Sequence, residues 1–264
     1  MVMCAVSTSA RSQEFSVTYG DMDFVVDGED QVVGSFKVFN LSDEVNYLRV
    51  YSGDWVRDSE DKSDYVYTRE SGNEERSLLR WMTFTPDLLV LEPGESDDVI
   101  CRVDLPDDVE LDGSYWAVVF VEEAPSLDED PIIQGSGDFQ VGITTKFRYA
   151  VKLFVTFSGT EFRDGTLTDL ELEETEESFL LSTRFENTGN IYMKPDVWLE
   201  IRDLSGSVVY RQDHIRQTML PESSRNYSFE VNRQGLNPGT YLIMVIADYG
   251  GTELVAVQAS LEIQ

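Results

Sequence analysis

From residue 14 onward, apolar and polar side chains alternate in short runs, and Gly, Asp, Asn or Pro punctuates the chain about every 8–12 residues. No apolar stripe spaced by three and four residues persists long enough for an amphipathic helix. A period of two sends alternate side chains to opposite faces of a strand, so the pattern predicts antiparallel sheets. Predicted strands fall at 14–19, 22–26, 32–40, 46–54, 78–85, 88–91, 96–104 and 113–122, and then at 167–173, 178–187, 196–203, 208–215, 224–230, 239–248 and 253–262.

Two sets of about seven strands predict an all-β fold of two tandem immunoglobulin-like β-sandwich domains, over 14–158 and 159–264. Turn chemistry supports the strand ends. Leu91-Glu-Pro-Gly94 and Leu236-Asn-Pro-Gly239 put Pro where φ is fixed and Gly where a positive φ is tolerated. Residues 54–75 differ: they are charged and poor in aliphatics except around Tyr65-Val-Tyr67, which predicts a solvated loop or protruding hairpin.

The most informative stretch is 139–157. Its odd positions read Phe139, Val141, Ile143, Thr145, Phe147, Tyr149, Val151, Leu153, Val155 and Phe157, while the even ones are mostly polar or small. Strands usually hold 5–6 residues, and at about 3.3 Å per residue this one extends roughly 60 Å. That exceeds what one sandwich can pair. The segment is expected to project beyond its domain, to bend between sheets, or to run into the second domain.

Charge narrows the partners. The 264 residues include 50 Asp and Glu against 20 Lys and Arg, a formal charge of -30. Such a chain repels nucleic-acid phosphates and anionic membrane surfaces, so neither is an expected partner. Lys is scarce, and a surface rich in carboxylates but poor in Lys suits concentrated salt, where screening removes self-repulsion. An ordinary acidic secreted protein is the other reading. With 4 Trp, 12 Tyr and 14 Phe there is ample apolar area for a core, and no apolar run reaches the roughly 18 residues of a spanning helix.

Chemistry is sparse. Cys4 and Cys101 do not suggest a disulfide, and Cys101 after Val99-Ile100 reads as a small core residue. Residues 1–13 read as a signal-peptide remnant, closing on Thr8-Ser9-Ala10; a lipid-anchored Cys4 is the weaker alternative. His214 is the one histidine, next to Asp213, and no nucleophile-elbow or zinc-helix motif occurs. Asp104-Leu-Pro-Asp-Asp108 and Asp128-Glu-Asp130 lack the Asp-x-Asp-x-Asp-Gly loop of a calcium site. No metal, no cofactor and no enzymatic activity are expected. Trp81, Trp116 and Trp198 lie in predicted strands, where core packing outranks sugar stacking; Trp55 lies beyond them.

Four segments in order resemble the periplasmic pilus chaperones, two-domain immunoglobulin-like proteins related to PapD. Val32-Val-Gly-Ser-Phe-Lys-Val-Phe-Asn-Leu-Ser42 is similar to that family's second strand and its Asn-x-Ser turn. Phe84-Thr-Pro-Asp-Leu-Leu-Val-Leu-Glu-Pro-Gly94 and Tyr115-Trp-Ala-Val-Val-Phe-Val-Glu-Glu-Ala-Pro125 resemble two later stretches, and Lys152-Leu-Phe154 sits where the family's last strand enters its second domain. The resemblance covers the first 158 residues best. It implies export to the periplasm or cell surface and a protein partner, a pilus-like or surface subunit whose own sandwich lacks a strand.

The mechanism so implied is strand donation: alternate apolar side chains fill the subunit's groove while main-chain bonds satisfy its open border. The partner-binding residues implied are Phe139, Val141, Ile143, Phe147 and Tyr149, with Lys152 as a compact cation for the subunit's terminal carboxylate. Thr145 interrupts the apolar set. Asp23 stands where the family pairs that Lys with an Arg, so a carboxylate faces the expected clamp. In the competing reading, residues 139–157 are a border strand packed on its own core. The second half, through Glu186-Asn-Thr-Gly-Asn190 and Leu236-Asn-Pro-Gly-Thr-Tyr241, also resembles two-domain immunoglobulin-like cell-wall surface proteins, which would make the chain a surface interaction module. Homo-oligomerisation through border strands is a third expectation.

Overall fold

A computed structural model describes residues 14–56, 66–69, 75–106, 110–124, 146–214 and 216–263. The chain is all-β, built as immunoglobulin-like sandwiches, with a single 3-10 turn at Arg233–Gly235 as its only helical element among the described residues. It divides into two compact units. Of the described residues, the first holds those up to 54, 68–106 and 116–155, and the second holds 55–56, 66–67, 110–115 and 156–263.

The first unit contains β1 (Phe15–Val17), β2 (Asp21–Val26), β3 (Gln31–Asn40), β4 (Asn46–Val56), β5 (Val66–Arg69), β6 (Met82–Thr85), β7 (Leu88–Leu91), β8 (Ser96–Asp104), β9 (Ser114–Glu123) and β10 (Arg148–Phe157), some of whose end residues count with the second unit. One sheet runs β1-β3-β8-β6 and the other β2-β10-β9-β4-β5, with β7 also on β4. The inward pairs Val32↔Val103 and Phe36↔Val99 of β3 and β8 show the period-two logic. Between them Gly34 faces Cys101, and a Cβ on Gly34 would stand 2.5 Å from the Phe24 ring, so the glycine admits an aromatic side chain. Glu92-Pro-Gly94 turns as its residues require: Gly94 sits at φ +76, and the Glu95 N–H donates to Glu92 O at 2.9 Å.

The second unit contains β11 (Gly165–Glu174), β12 (Ser178–Asn187), β13 (Asp196–Arg202), β14 (Val208–Asp213), β15 (Ser224–Asn232), β16 (Gly239–Asp248) and β17 (Val255–Ile263). Its sheets run β11-β12-β15 and β14-β13-β16-β17. Phe179, Phe185, Leu199, Tyr227, Ile243 and Val245 are fully enclosed at its centre. Burying side chains of this size contributes about 1.5–3 kcal/mol each, which is what holds two thin sheets together.

Both units close their second long strand with the same device. Asn40 ends β3 and Asn187 ends β12, and both side chains are buried. Asn40 Nδ2 donates to Glu44 O and Leu91 O at 2.8 and 2.9 Å, while its Oδ1 accepts from the Ser42 N–H and hydroxyl. Asn187 Nδ2 donates to Ile191 O and Leu220 O at 2.9 Å each. An amide that both donates and accepts ties several turn groups together inside the protein.

The strand expectation needs two adjustments. The strand expected from 78 begins only at Met82, because Leu78 donates its N–H to Trp116 O and Trp81 donates to Leu78 O, which turns the chain first. Within the charged stretch 54–75, β5 is a strand paired with β4.

Candidate partner-binding site

β10 is an interior strand. It lies between β2 and β9, so both of its backbone sides are engaged. The Lys152 N–H donates to Gly20 O at 2.7 Å, and the Glu123 N–H, at the end of β9, donates to Phe147 O at 3.3 Å. Val151, Leu153 and Val155 are sealed in the unit's own core, and Phe154 is fully buried as well. For residues 148–155, therefore, the apolar flank serves this chain's own interior. The expected donors Phe139, Val141 and Ile143 lie outside the described residues.

The remaining site residues cluster where β10 begins. Phe147 is half-buried. Tyr149 packs edge-on against Phe15, ring centres 5.0 Å apart. Lys152 is half-buried on β10, and Asp23 is exposed on the adjoining β2. Beside them stands a group that the sequence pattern did not single out. The Arg148 guanidinium lies 4.5 Å over the Phe120 ring, Tyr51 stacks on Phe120 at 5.1 Å, and the Tyr51 hydroxyl donates to Glu122 Oε2 at 2.5 Å. Arg148 Nη1 also reaches the Tyr51 hydroxyl at 3.5 Å. Arg148 and Glu122 carry opposite charges at the ends of the neighbouring strands β10 and β9. The arrangement braces the start of β10, since a cation over an aromatic face contributes about 0.5–1 kcal/mol at an exposed site.

Among the described residues, the side chains that the sequence offered for chemistry sit in structural surroundings. Burial pushes the Cys101 thiol up to about 12, the opposite of what a nucleophile needs. His214 packs edge-on against Tyr227 and Phe229, at 4.9 and 5.8 Å. Among the described residues no three His, Cys, Asp or Glu side chains gather to hold a metal ion. Trp55 and Trp116 are buried, while Trp81 and Trp198, only half-buried, each carry an arginine over the ring. In the second unit, the Trp198 indole N–H, Arg202 and Arg211 surround the buried Glu200 carboxylate at 3.0, 2.6 and 3.3 Å. No helix among the described residues is long and apolar enough to cross a membrane.

No family model matches the chain, and no curated protein does. Solved structures do. The YadV chaperone is 15% identical, with 94% of this chain and 100% of that chain covered at a TM-score of 0.46. The class 5 fimbriae chaperone CfaA is 12% identical over 95% and 99%, at 0.47. The chaperone–tip adhesion subunit pre-assembly complex CsuC–CsuE of Acinetobacter baumannii gives 11% over 92% and 97%, at 0.47. Each of these three structures, to which this chain is similar, contains a chaperone.

Proposed function

We propose that this protein is an exported, non-enzymatic chaperone or assembly factor for pilus-like or surface subunits, acting by β-strand donation from residues 139–149. One observation carries the reading: in the sequence, the apolar alternation of β10 continues in phase upstream of Arg148, through Phe147 to Phe139. A strand clamped between β2 and β9 is a rigid base for such a continuation. Phe139, Val141, Ile143 and Phe147 enter the groove of the incomplete subunit, main-chain bonds pair with its border, Tyr149 flanks the entry and Lys152 attracts the subunit's terminal carboxylate. Asp23 weakens that attraction, so apolar filling supplies most of the affinity. The acidic surface suits a salt-rich exterior.

The test is co-expression with the subunit encoded beside its gene, followed by affinity purification of wild type, Ile143→Asp and Phe147→Asp. A carboxylate forced into an apolar groove costs several kcal/mol, so both variants are expected to lose the subunit while keeping the wild-type circular dichroism spectrum. Full retention of the subunit by both folded variants would overturn the reading.

A further inference from the structure

A sheet border presents unpaired backbone groups, and natural proteins guard it with short strands, charges, proline or bulges. Nearly every border strand here is guarded. β1, β5, β6 and β7 have three or four residues each. β2 carries Asp21 and Asp23. β11 has a register shift between Thr168 and Glu171 and three glutamates after it, and β15 carries Arg225 and Glu230. β14 is short, lies opposite a register shift, and carries Arg211 and Asp213.

β17 has almost none of these devices. Its nine residues, Val-Ala-Val-Gln-Ala-Ser-Leu-Glu-Ile, hold one charge and no proline, in a chain that is 27% charged. It pairs with β16 without a break from Val255↔Ala247 to Ile263↔Gly239. β11 runs alongside but bonds to β12, so β16 is the only strand hydrogen-bonded to β17 among the described residues. Coverage is incomplete too. The inward side chains Val255, Val257, Ala259 and Ile263 are only half-buried, whereas Tyr227, Phe229 and Val231, inward on β15, are closed off. Leu254, just before the strand, is 56% exposed.

We propose that β17 is a self-association border, at which a second copy of this chain pairs antiparallel about a two-fold axis through Ala259. The order of residues is self-complementary in that register. Val255 meets Ile263, Val257 meets Leu261, Gln258 meets Ser260, and Glu262 meets Ala256 rather than another acid. For a molecule of charge -30, this register brings two copies together without setting like charges side by side. Pairing satisfies the open backbone groups, covers the half-buried Val255, Val257 and Ile263, and joins two β14-β13-β16-β17 sheets into one.

Sedimentation velocity of the full chain, from about 1 to 100 µM in moderate salt, is expected to show a monomer–dimer equilibrium. Two double variants test the register. Gln258→Lys with Ser260→Lys sets amine against amine twice across the axis, whereas Gln258→Lys with Ser260→Glu sets amine against carboxylate twice. The first is expected to raise the dimer dissociation constant at least about tenfold over the second. A chain that stays monomeric throughout, or a dimer that weakens equally in both variants, overturns the proposal.

Discussion

Removing the buried amide of Asn187 tests how the second unit is held together. Asn187→Ala deletes hydrogen bonds of 2.9 Å to Ile191 O and 2.9 Å to Leu220 O, a longer one of 3.3 Å to Met219 O, and the bond its Oδ1 accepts from the Gly189 N–H at 3.1 Å. Each hydrogen bond contributes about 0.5–1.5 kcal/mol net, and each buried group left without a partner costs about 1–3 kcal/mol. Met219 O also accepts from the Met193 N–H, Leu220 O from the Ser223 N–H and hydroxyl, and the Gly189 N–H also donates to Asp164 O, so the cost of orphaning falls on Ile191 O. With one carbonyl orphaned and the other groups still partnered, the loss is about 2–4 kcal/mol, a large share of the stability of an ordinary domain. Asn187→Asp sharpens the argument. It preserves volume and the bond from Gly189, but turns an oxygen toward three carbonyl oxygens, so at neutral pH it is expected to destabilise more than alanine does. Urea unfolding followed by circular dichroism gives the free energies, and amide hydrogen exchange assigns them to the second unit. A loss below about 1 kcal/mol for Asn187→Ala, or an aspartate variant as stable as the alanine one, would refute the reasoning.

Two further outcomes follow from charge. Burial raises the Glu200 carboxyl, but hydrogen bonds from Arg202 and Trp198 and the charges of Arg202 and Arg211 outweigh it, leaving the carboxyl below its ordinary range. A depressed folded value means that its stabilisation is complete above the unfolded value of 4.5 and lost as pH falls through the folded one. Glu200→Gln should therefore cost about 1–3 kcal/mol at pH 7 and less in acid, measured by urea melts at both; an equal cost at both would contradict this. With 50 acids against 20 bases, the melting temperature should rise by several degrees from 0.15 to 1 M NaCl, as the screening length shortens from about 8 to 3 Å. A flat or falling curve in differential scanning calorimetry would show that self-repulsion is not the dominant surface term.

Much of the fold was legible because one face of most strands is wet. β8 runs exposed and buried in strict alternation from Val99 to Asp104, and period two marks such strands plainly. β9 was legible as a strand but not as a sheet centre, since Trp116, Val118 and Phe120 are buried along with Ala117, Val119 and Val121. β5 was half legible, since Val66-Tyr67-Thr68 are strand-forming residues, but the charged residues on either side fit a solvated loop as well as a hairpin. At the candidate site, the alternation through 139–157 reads as one ribbon, of which the described residues show 148–157 as a strand of the sheet. Phe154, an apolar residue at an even position and fully buried, was the local sign that both faces of that part are covered. The bracing of Arg148 on Phe120 and Tyr51 depends on which strands are neighbours, which a linear pattern does not encode.

The clamping of β10 from both sides also sets a frame of reading. Its ladder dictates which way the first paired residue points, and a strand's side chains swap faces with every step along the chain. A single residue inserted between Phe147 and Arg148 would leave the sheet as it is and invert the parity of everything before it, offering a groove the polar series in place of the aromatic one. If this stretch donates a strand as proposed, its length is under a constraint that its composition is not: many apolar substitutions can be absorbed, but the count of residues cannot change by one.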